Sequence, residues 1–342
     1  MMPLVSIIIL NYNGEKFIKR CLSSVLDTTY PRLEIIVIDN GSTDNSYEII
    51  KQYESKVKLI RIPYNIGYSA GNNLGIKVSK GEYIVLLNND TIVNPSWISE
   101  LVKVAESDQS IGILGCKVYY LGTKIIQHAG GKLNIYSDTL PHIGAFEKDH
   151  GQYNEIKDVD YVSGVAMMIN RKIIEKIGLL DVDYFLYWED VDYCYRAKKA
   201  GYRVVYVPTA IIYHYEGGSA GKREAFKRLL LERNRVLFVL KNFSSKECAF
   251  FILNDTMKQL NRVREGLARL LCKTSYWLDK SRIKRDSLNQ GIIKQRIAFT
   301  ARSIILSFIG LFYSYLYLII KGPFIRKYHK KKTKTILKLR LE

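Results

Sequence analysis

The sequence predicts an α/β fold, in which helices cover both faces of a mostly parallel β-sheet and a basic helical region follows. The first observation is that short, fully apolar runs alternate with segments of helical apolar spacing through the first 120 residues. Such strands are typical of parallel sheets buried on both faces. The second is that clusters of Asn, Asp and Gly follow the apolar runs. The third is charge, because residues 221–342 carry 29 Lys and Arg against 8 Asp and Glu.

Four strand–helix pairs are predicted in the first third of the chain. The apolar runs that we interpret as strands cover residues 5–10, 34–38, 58–62 and 83–87. The segments with helical spacing cover residues 17–26, 46–53, 70–78 and 96–106. Asn, Ser and Asp precede the second of these helices and are favoured at the start of a helix.

The middle of the chain is less regular. Residues 120–160 are rich in Gly, Asp and His, which suits a loop or a small subdomain. The later spacing predicts strands and helices at residues 164–170, 171–177, 189–200, 203–207 and 211–214, of which the second and third are helices. Gly201 is placed to end the longer helix. We expect a domain boundary near residues 217–221, between a domain of residues 1–220 and the basic region 221–342.

The polar clusters should meet at one edge of the sheet. Residues 11–13, 39–45 and 88–90 each follow a predicted strand. In open α/β sheets the ligand lies beyond the carboxyl ends of the strands. Asp39 and Asn40 offer a carboxylate and an amide to the N–H and hydroxyl groups of a nucleoside. A capped turn explains the same residues, because Asn, Gly, Ser and Asp are common in turns.

Two further turns have the same ambiguity. The segments Asn65-Ile66-Gly67 and Gly71-Asn72-Asn73 combine side-chain amides with glycines. Glycine allows a ligand to approach the backbone closely. A loop that enters a helix accounts for these residues nearly as well.

A candidate metal site follows the fourth strand. Asn88, Asn89 and Asp90 end that strand with a carboxylate, and Mg²⁺ and Mn²⁺ prefer oxygen ligands. A strand-end turn capped by the Asp side chain is an equal alternative. His214 ends the last predicted strand and could be a second ligand, although a single His is more often structural.

Three carboxylates, Glu189, Asp190 and Asp192, stand at the start of a predicted helix, directly after Tyr187 and Trp188. The helix dipole stabilises their charged forms, which suits a catalytic base and equally suits helix capping. Aromatic residues beside carboxylates are typical of sugar-binding clefts, because the C–H faces of sugars pack on rings. Core aromatic residues beside a capped helix are the alternative.

Taken together, these motifs resemble the family 2 glycosyltransferases of the GT-A type, a Rossmann-like fold, in the branch with rhamnosyltransferase-like enzymes of cell-surface polysaccharide synthesis. The resemblance covers roughly residues 4–240. Its motifs are the opening strand through Gly14, Asp39 to Asp44, Asn65-x-Gly67 with Gly71 to Asn73, Leu87 to Thr91, Ile177 to Asp181, Glu189-Asp190-x-Asp192, and His214 with Gly218-Ser219. Seven such elements in this order are specific for the family.

The resemblance implies a nucleotide-sugar half over about residues 1–118 and an acceptor half over about residues 119–220. The residues implied to bind the nucleotide sugar are Asn11, Asn13, Asp39, Asn40, Gly67, Asn72, Asn73, Asn88 and Asn89. Asp90 and His214 would hold a divalent metal ion, Mg²⁺ or Mn²⁺, on the diphosphate. Asp190 would be the base that deprotonates the acceptor hydroxyl, with inversion at the anomeric carbon. The residues implied to contact the acceptor are Trp188, Glu189 and Asp192.

The implied reaction moves one sugar from a UDP- or dTDP-linked donor to a hydroxyl of a glycan or lipid-linked acceptor. The wider fold often holds its metal with an Asp-x-Asp motif, whereas this chain has Asn88-Asn89-Asp90 and therefore one carboxylate. The chain lacks the Gln-x-x-Arg-Trp signature of processive polysaccharide synthases. That absence favours the addition of a single sugar.

The basic region contains an uncharged run of 18 residues, 303–320, flanked on both sides by Lys and Arg. About 20 apolar residues span a bilayer, and positive charge on both sides argues against a single crossing. A re-entrant or in-plane helix on anionic lipid fits better, and a soluble helical hairpin is the alternative. We therefore expect the protein at the cytoplasmic face of the cell membrane, with an anionic membrane surface and no nucleic acid among its partners.

Two other classes of protein remain open on the sequence. A nucleotidyltransferase would be expected to carry a Gly-rich loop with Lys or Arg after its first strand, and this chain does not. A non-catalytic protein that binds sugar or nucleic acid through the basic region would leave Asp90, Glu189 and Asp190 without a role.

Overall fold

The computed structural model describes residues 1–137, 140–215 and 224–281. Contacts divide these residues into two compact units, one from Met1 to Leu231 and the other beginning at Glu232. The predicted boundary at 217–221, the Gly218-Ser219 pair and the uncharged run at 303–320 lie outside the described residues.

The first unit contains ten strands and six complete helices among the described residues. The strands are β1 (Val5–Asn11), β2 (Leu33–Asn40), β3 (Lys58–Ile62), β4 (Tyr83–Asn88), β5 (Thr91–Val93), β6 (Ile111–Tyr120), β7 (Ile126–His128), β8 (Lys157–Asp158), β9 (Ala166–Asn170) and β10 (Arg203–His214). The helices are α1 (Ile18–Leu26), α2 (Ser46–Lys51), α3 (Tyr68–Val78), α4 (Trp97–Ser107), α5 (Arg171–Ile177) and α6 (Glu189–Lys199), with a 3-10 turn at Val182–Tyr184.

All ten strands belong to one sheet. Its order is β3-β2-β1-β4-β9-β6-β10-β5, with β7 beside β6 and β8 beside β10. The first four strands in this order are parallel, as predicted. β9 runs antiparallel to both β4 and β6, and β5, β7 and β8 are also antiparallel to their neighbours.

The prediction of a mostly parallel sheet is therefore wrong, and the sheet is mixed. The reason lies in the connection that precedes β9. A parallel neighbour needs a crossover that returns the chain to the starting edge, usually through a helix. The described part of residues 121–165 contains no helix. It leads from the end of β6 to the start of β9 at the same side of the sheet, so β9 runs antiparallel to β6.

Helices cover both faces of the parallel half, as predicted. On one face, Ile7 and Ile9 belong to a buried cluster with Leu22 of α1 and Trp97 of α4. On the other face, α3 lies so close to β1 that a Cβ on Gly75 would fall 2.4 Å from an Ile8 side-chain atom. Glycine in α3 therefore permits the helix to pack tightly on the sheet.

Four strands, β5, β6, β7 and β8, were not expected, and β10 differs from the prediction. β6 was not expected, because Gly112, Gly115 and Lys117 interrupt its apolar pattern. β10 is one strand where two were expected, with a register shift against β6 between Val207 and Ile211. Pro208 lies in that irregularity, where its missing N–H removes no ladder hydrogen bond.

The helical pattern predicted for the basic region is found in its described part. α7 spans Glu224–Asn242 and begins before the first unit ends, and α8 spans Ser245–Ser281. Ser244 and Glu247 form a capping box at the start of α8, since the Ser244 backbone N–H donates to Glu247 Oε2 at 2.8 Å. In the described part of the chain, no helix combines the length and apolar character that crossing a membrane requires.

Candidate active site

The predicted site residues lie along one edge of the sheet. Asn11, Asn40, Asn88 and His214 are the last residues of β1, β2, β4 and β10. β9 begins at this edge, because the Asn88 backbone N–H donates to the carbonyl of Val165 at 2.9 Å. The antiparallel direction of β9 thus brings residues of the second half to the carboxyl ends of the first four strands.

Asn11 is the centre of the first polar cluster. It is fully buried, and its Nδ2 donates to Asp39 Oδ1 at 3.0 Å and to Ser46 Oγ at 2.9 Å. Its Oδ1 accepts from Asn89 Nδ2 at 2.8 Å. Both ends of the amide are engaged, so Asn11 ties the ends of β1, β2 and β4 together. Asn89 thereby points its amide toward Asn11.

Asp39 has one carboxylate oxygen without a hydrogen bond. Its side chain is fully buried, and Oδ2 accepts none among the described residues. The Arg61 Nε lies 3.5 Å from this oxygen and supplies charge without a well-aligned bond. A buried acceptor without a donor costs about 1–3 kcal/mol, which a ligand N–H would recover. Asp39 is therefore prepared to accept a hydrogen bond from outside the protein.

The turns after β1, β2 and β3 are joined by side-chain amides. Asn13 Oδ1 accepts from the Thr43 backbone N–H at 2.8 Å. Asn40 Oδ1 accepts from the Ile66 N–H at 3.0 Å, and its Nδ2 donates to the Gly67 carbonyl at 3.3 Å. These bonds fix the turns relative to one another, which keeps the edge rigid.

The two amides of α3 are used differently. Asn73 donates to the Leu180 carbonyl at 2.8 Å and accepts from its N–H at 3.1 Å, so it anchors the turn before α6. Asn72 donates to the Tyr68 carbonyl, while its buried Oδ1 accepts no hydrogen bond among the described residues. Asn72 retains an acceptor for a ligand, and the role of Asn73 in nucleotide binding stays a prediction.

Asp90 and His214 come together, although they are far apart in sequence. His214 Nε2 lies 3.0 Å from Asp90 Oδ1, and both residues are buried. His214 Nδ1 lies 2.8 Å from Gln127 Oε1, an acceptor, so Nδ1 carries the proton of the neutral ring. Nε2 and the Asp90 oxygen then face each other as two electron-pair donors.

This pair fits a divalent metal ion. Asp90 Oδ1 is buried and accepts no hydrogen bond, as expected of an atom whose partner is a cation. A separation of 3.0 Å suits two neighbouring ligands of one ion at about 2.0–2.1 Å each. The described residues contain no group of three or more His, Cys, Asp and Glu side chains placed to hold a metal. The remaining ligands would therefore be water and substrate phosphate.

Asp190 is held by backbone N–H groups. The Gly164 N–H donates to Oδ2 and the Val191 N–H to Oδ1, both at 2.8 Å. Burial raises the pKa of Asp190, and these N–H groups and His142 oppose that rise. Tyr68 donates from its hydroxyl to the Gly164 carbonyl at 2.6 Å, which fixes the same turn.

The two neighbouring carboxylates have opposite surroundings. Glu189 is 4% exposed, its Oε2 accepts no hydrogen bond, and burial raises its pKa well above the usual value. Asp192 accepts from Arg196 Nε at 2.7 Å and from the Tyr184 hydroxyl at 3.1 Å. Asp192 is thus fixed inside the protein, while the burial of Glu189 is opposed only in part, by a hydrogen bond from its own backbone N–H.

The segment before α6 is strained. Phe185, Tyr187 and Trp188 have φ angles of 65°, 71° and 73°, which bulky residues rarely adopt. Strain of this kind persists where the surrounding structure enforces it, often at functional sites. The Phe185 ring would collide with any Cβ on Gly67, so glycine there allows this segment to pack against the start of α3.

Gln127 and Gly164 were not identified from the sequence. Gln127 lies in a region expected to be irregular, and it contributes through the β7–β6 pairing that places it beside His214. Gly164 was assigned to a strand, whereas its function here is a backbone N–H at the turn before β9. No residue-type signal marks either position, because one acts as a side-chain acceptor and the other through its backbone.

Comparison with known proteins identifies the family. The model of glycosyl transferase family 2 matches residues 6–178. The protein y4gI of Sinorhizobium fredii is 30% identical over 260 residues, which are 72% of this chain and 28% of that protein. This chain thus spans less than a third of that relative. The N-acetylglucosaminyl-diphospho-decaprenol L-rhamnosyltransferase of Mycobacterium tuberculosis is 25% identical over 266 residues, 71% of this chain and 86% of the relative.

The fold is also found in a solved structure. The mannosyltransferase PcManGT of Pyrobaculum calidifontis, in complex with GDP-Man and Mn²⁺, superposes with a TM-score of 0.54 at 14% identity. The superposition covers 94% of this chain and 88% of that one. At this level of identity the similarity is one of fold.

Proposed function

The chain belongs to glycosyl transferase family 2 and is a glycosyltransferase of the GT-A fold, and from this we propose its reaction. The protein moves one sugar from a UDP- or dTDP-linked donor to a hydroxyl of a glycan or lipid-linked acceptor, with inversion, in cell-surface polysaccharide or glycoconjugate synthesis. Family membership sets aside a nucleotidyltransferase and a non-catalytic binding protein. The mycobacterial relative, named for a diphospho-decaprenol substrate and a rhamnosyl group, supports this choice of substrates.

The observation that carries the proposal is a single edge with a buried acceptor at one end and a carboxylate base at the other. Asp39 Oδ2 accepts no hydrogen bond and suits a base N–H of the nucleotide. Asn11, Asn13, Asn40, Gly67, Asn72, Asn73, Asn88 and Asn89 complete the proposed nucleotide-sugar end. Asn11 acts by holding Asp39, which it contacts directly.

Asp90 and His214 are proposed to hold a Mg²⁺ or Mn²⁺ ion. Such an ion would neutralise the negative charge that develops on the departing diphosphate. The Mn²⁺ in the PcManGT structure supports a divalent ion for this fold. With Asn88 and Asn89 in place of a second carboxylate, the chain itself supplies one charge to the ion.

Asp190 is proposed as the base that takes the proton of the acceptor hydroxyl. A carboxylate can serve when it is ionised and within hydrogen-bond reach of that hydroxyl. The Gly164 and Val191 N–H groups stabilise its ionised form and fix its orientation. Trp188, Glu189 and Asp192 are proposed to shape the acceptor side, with Asp192 acting through its contacts to Tyr184 and Arg196.

A thermal-shift screen tests this proposal and identifies the donor. The full-length protein is heated with UDP-, dTDP- and GDP-sugars, each with and without MnCl₂. We expect the UDP- or dTDP-sugars to raise the melting temperature, more strongly with the metal, because a ligand that binds the folded state stabilises it. Asp39→Asn should remove most of the shift. A shift that survives in Asp39→Asn would contradict the proposed nucleotide site.

A further inference from the structure

One amide pair ties the turn that carries Asp90 to the polar cluster around Asn11. Asn89, directly before Asp90, is 7% exposed, and its Nδ2 donates to Asn11 Oδ1 at 2.8 Å. Within the turn itself, the Thr91 hydroxyl donates to the Asn88 carbonyl at 2.7 Å. Asn89 is therefore the side chain through which this turn contacts the Asn11 cluster.

The other contacts of Asn11 fix which end of its amide faces residue 89. Its Nδ2 donates to Asp39 Oδ1 at 3.0 Å and to Ser46 Oγ at 2.9 Å. An ionised carboxylate only accepts hydrogen bonds, and Ser46 donates its single hydroxyl proton to Asp44. Reversing the amide would set the Asn11 oxygen against two acceptors. The oxygen therefore faces residue 89, and that residue has to donate.

A carboxylate at position 89 would meet a second oxygen. In Asn89→Asp, an ionised oxygen would take the place of the N–H group that now lies against Asn11 Oδ1, and neither atom would carry a proton. The backbone at Gly14 packs against the same amide pair, because a Cβ there would fall 2.1 Å from Asn89 Nδ2 and 2.3 Å from Asn11 Oδ1. The surroundings thus favour an amide at position 89 over the carboxylate that a nearby cation would attract.

We propose that Asn89 is a positioning residue: through Asn11 it fixes the turn that presents Asp90 to the metal ion, and it joins that turn to Asp39 at the nucleotide end. The inference rests on the proposed metal pair of Asp90 and His214. Asn89 acts by its bond to the protein and contributes neither charge nor a ligand atom to the ion. Negative charge at position 89 consequently weakens the metal site, whereas a residue that faced the ion would strengthen it as a carboxylate.

Binding of Mn²⁺ by the full-length protein tests this sign, with the free ion measured by electron paramagnetic resonance in the absence and presence of UDP. Loss of an orienting contact near a metal ligand typically costs 10–100-fold in affinity, so Asn89→Asp should weaken Mn²⁺ binding about 10-fold or more. Asn89→Ala, which removes the donor without adding an oxygen, should weaken it about 3- to 10-fold.

Asn88→Asp is the matched comparison, because it makes the same change one residue earlier, where the side chain does not bond to Asn11. It should bind Mn²⁺ at least as tightly as the wild type, since an added carboxylate attracts a cation. Unchanged or tighter binding in Asn89→Asp overturns the proposal. So does an equal loss in Asn88→Asp, which would show a general effect of charge in the turn. If the wild type binds no Mn²⁺ in either condition, the proposed metal site fails first, and the inference falls with it.

Two further measurements separate positioning from damage to the fold. The melting temperature of metal-free Asn89→Ala should lie within about 4 °C of the wild type. Hydrolysis of the nucleotide sugar selected by the thermal-shift screen should be slowed most at low Mn²⁺. The difference from the wild type should shrink as Mn²⁺ rises, because excess metal restores the occupied site. A rate lowered by the same factor at every Mn²⁺ concentration overturns the positioning role.

Discussion

The Asp190 carboxylate accepts hydrogen bonds from two backbone N–H groups, which fix its orientation. Asp190→Asn preserves its size but removes the proton acceptor, so we expect turnover to fall about 10²–10⁴-fold. Donor binding, measured by thermal shift, should persist, because Asp190 contacts the Gly164 turn and not the Asn11 cluster. Glu175→Gln, at an exposed position of α5, is the control. Near-normal turnover in Asp190→Asn would move the assignment to Glu189 or Asp192.

We expect substitutions of Glu189 and of Asp192 to change the stability of the fold in opposite directions. Burial raises the pKa of Glu189, so its ionised form destabilises the folded state at neutral and high pH. Glu189→Gln should therefore raise the melting temperature at pH 8, and the gain should vanish below about pH 4, where the unfolded chain also protonates its Glu. Asp192→Asn should lower the free energy of unfolding by about 1–3 kcal/mol, because it weakens the bond from Arg196. Changes of the same sign would contradict the assigned surroundings.

We expect Gln127 to affect the metal affinity of the site, because it contacts His214 Nδ1. A group that fixes the tautomer of a metal-binding His typically contributes 10–100-fold in affinity. Gln127→Met removes the acceptor and should weaken Mn²⁺ binding about 10-fold or more, measured from the free Mn²⁺ signal in electron paramagnetic resonance. Gln127→Glu keeps an acceptor for the Nδ1 proton and should retain binding.

Asp90→Asn separates two possible failures of this prediction. If Asp90→Asn leaves Mn²⁺ binding unchanged, the metal site itself is misassigned. If Asp90→Asn abolishes binding while Gln127→Met does not, only the orienting role of Gln127 is wrong.

At the scale of elements, apolar periodicity predicted the parts of the fold that depend on local pattern. β3 and α5 have the expected bounds, and β1, β2 and β4 differ by one or two residues. β6 could not be predicted, because its Lys117 is buried by contacts with the distant Asp149 and Asn154. A single sequence does not reveal which distant residues will compensate a charge within a strand.

Lys117 also holds part of the irregular segment, residues 120–160, on the sheet through its contacts with Asp149 and Asn154. Its Nζ donates to Asp149 Oδ2 at 2.7 Å, and the Tyr119 hydroxyl contacts the same carboxylate. Lys117→Met should lower the free energy of unfolding by about 1–3 kcal/mol, because Asp149 loses its counter-charge. Lys157→Met is the control, since Lys157 pairs with Glu155 at the surface and such pairs contribute about 0–1 kcal/mol.

The loss in Lys117→Met should depend on pH. Burial acts to raise the pKa of Asp149, but Lys117, Tyr119 and the Gly151 N–H hold it at about 2. The stabilisation is therefore complete above the usual Asp pKa and is lost as pH falls toward 2. Chemical denaturation at pH 7 and pH 3 should show a smaller difference between variant and wild type at pH 3. An equal difference would contradict the coupling.

At the scale of the molecule, the sequence predicted where the site lies better than how it works. The strand ends placed Asn11, Asp39 and Asn88 on one edge, because carboxyl ends of parallel strands coincide. The contacts of Asn73 with Leu180 and of Asp192 with Arg196 could not be foreseen. Asn73 and Asp192 belong to motifs that match the family pattern, yet in this structure their side chains form hydrogen bonds within the protein. Motif spacing identifies positions, and only the tertiary contacts show which atoms remain for a ligand.

The positive charge of residues 221–342 leads to a prediction that the protein binds membranes. Residues 221–342 carry 29 of the 52 Lys and Arg, and each basic residue near an anionic surface contributes about 1 kcal/mol to binding. We propose that this region attaches the enzyme to the cytoplasmic face of the membrane, where a lipid-linked acceptor would be concentrated. Full-length protein should sediment with liposomes that contain phosphatidylserine and stay in solution with phosphatidylcholine alone.

Salt separates the two contributions to that attachment. Charge attraction is screened at high ionic strength, whereas burial of the uncharged run 303–320 is not. We expect 0.5 M NaCl to release only part of the bound protein. Replacing Lys330, Lys331, Lys332 and Lys334 by Gln should lower the bound fraction at low salt while leaving the salt-resistant part unchanged. If the wild type stays in the supernatant with anionic liposomes at low salt, the basic region has another partner and the membrane proposal is wrong.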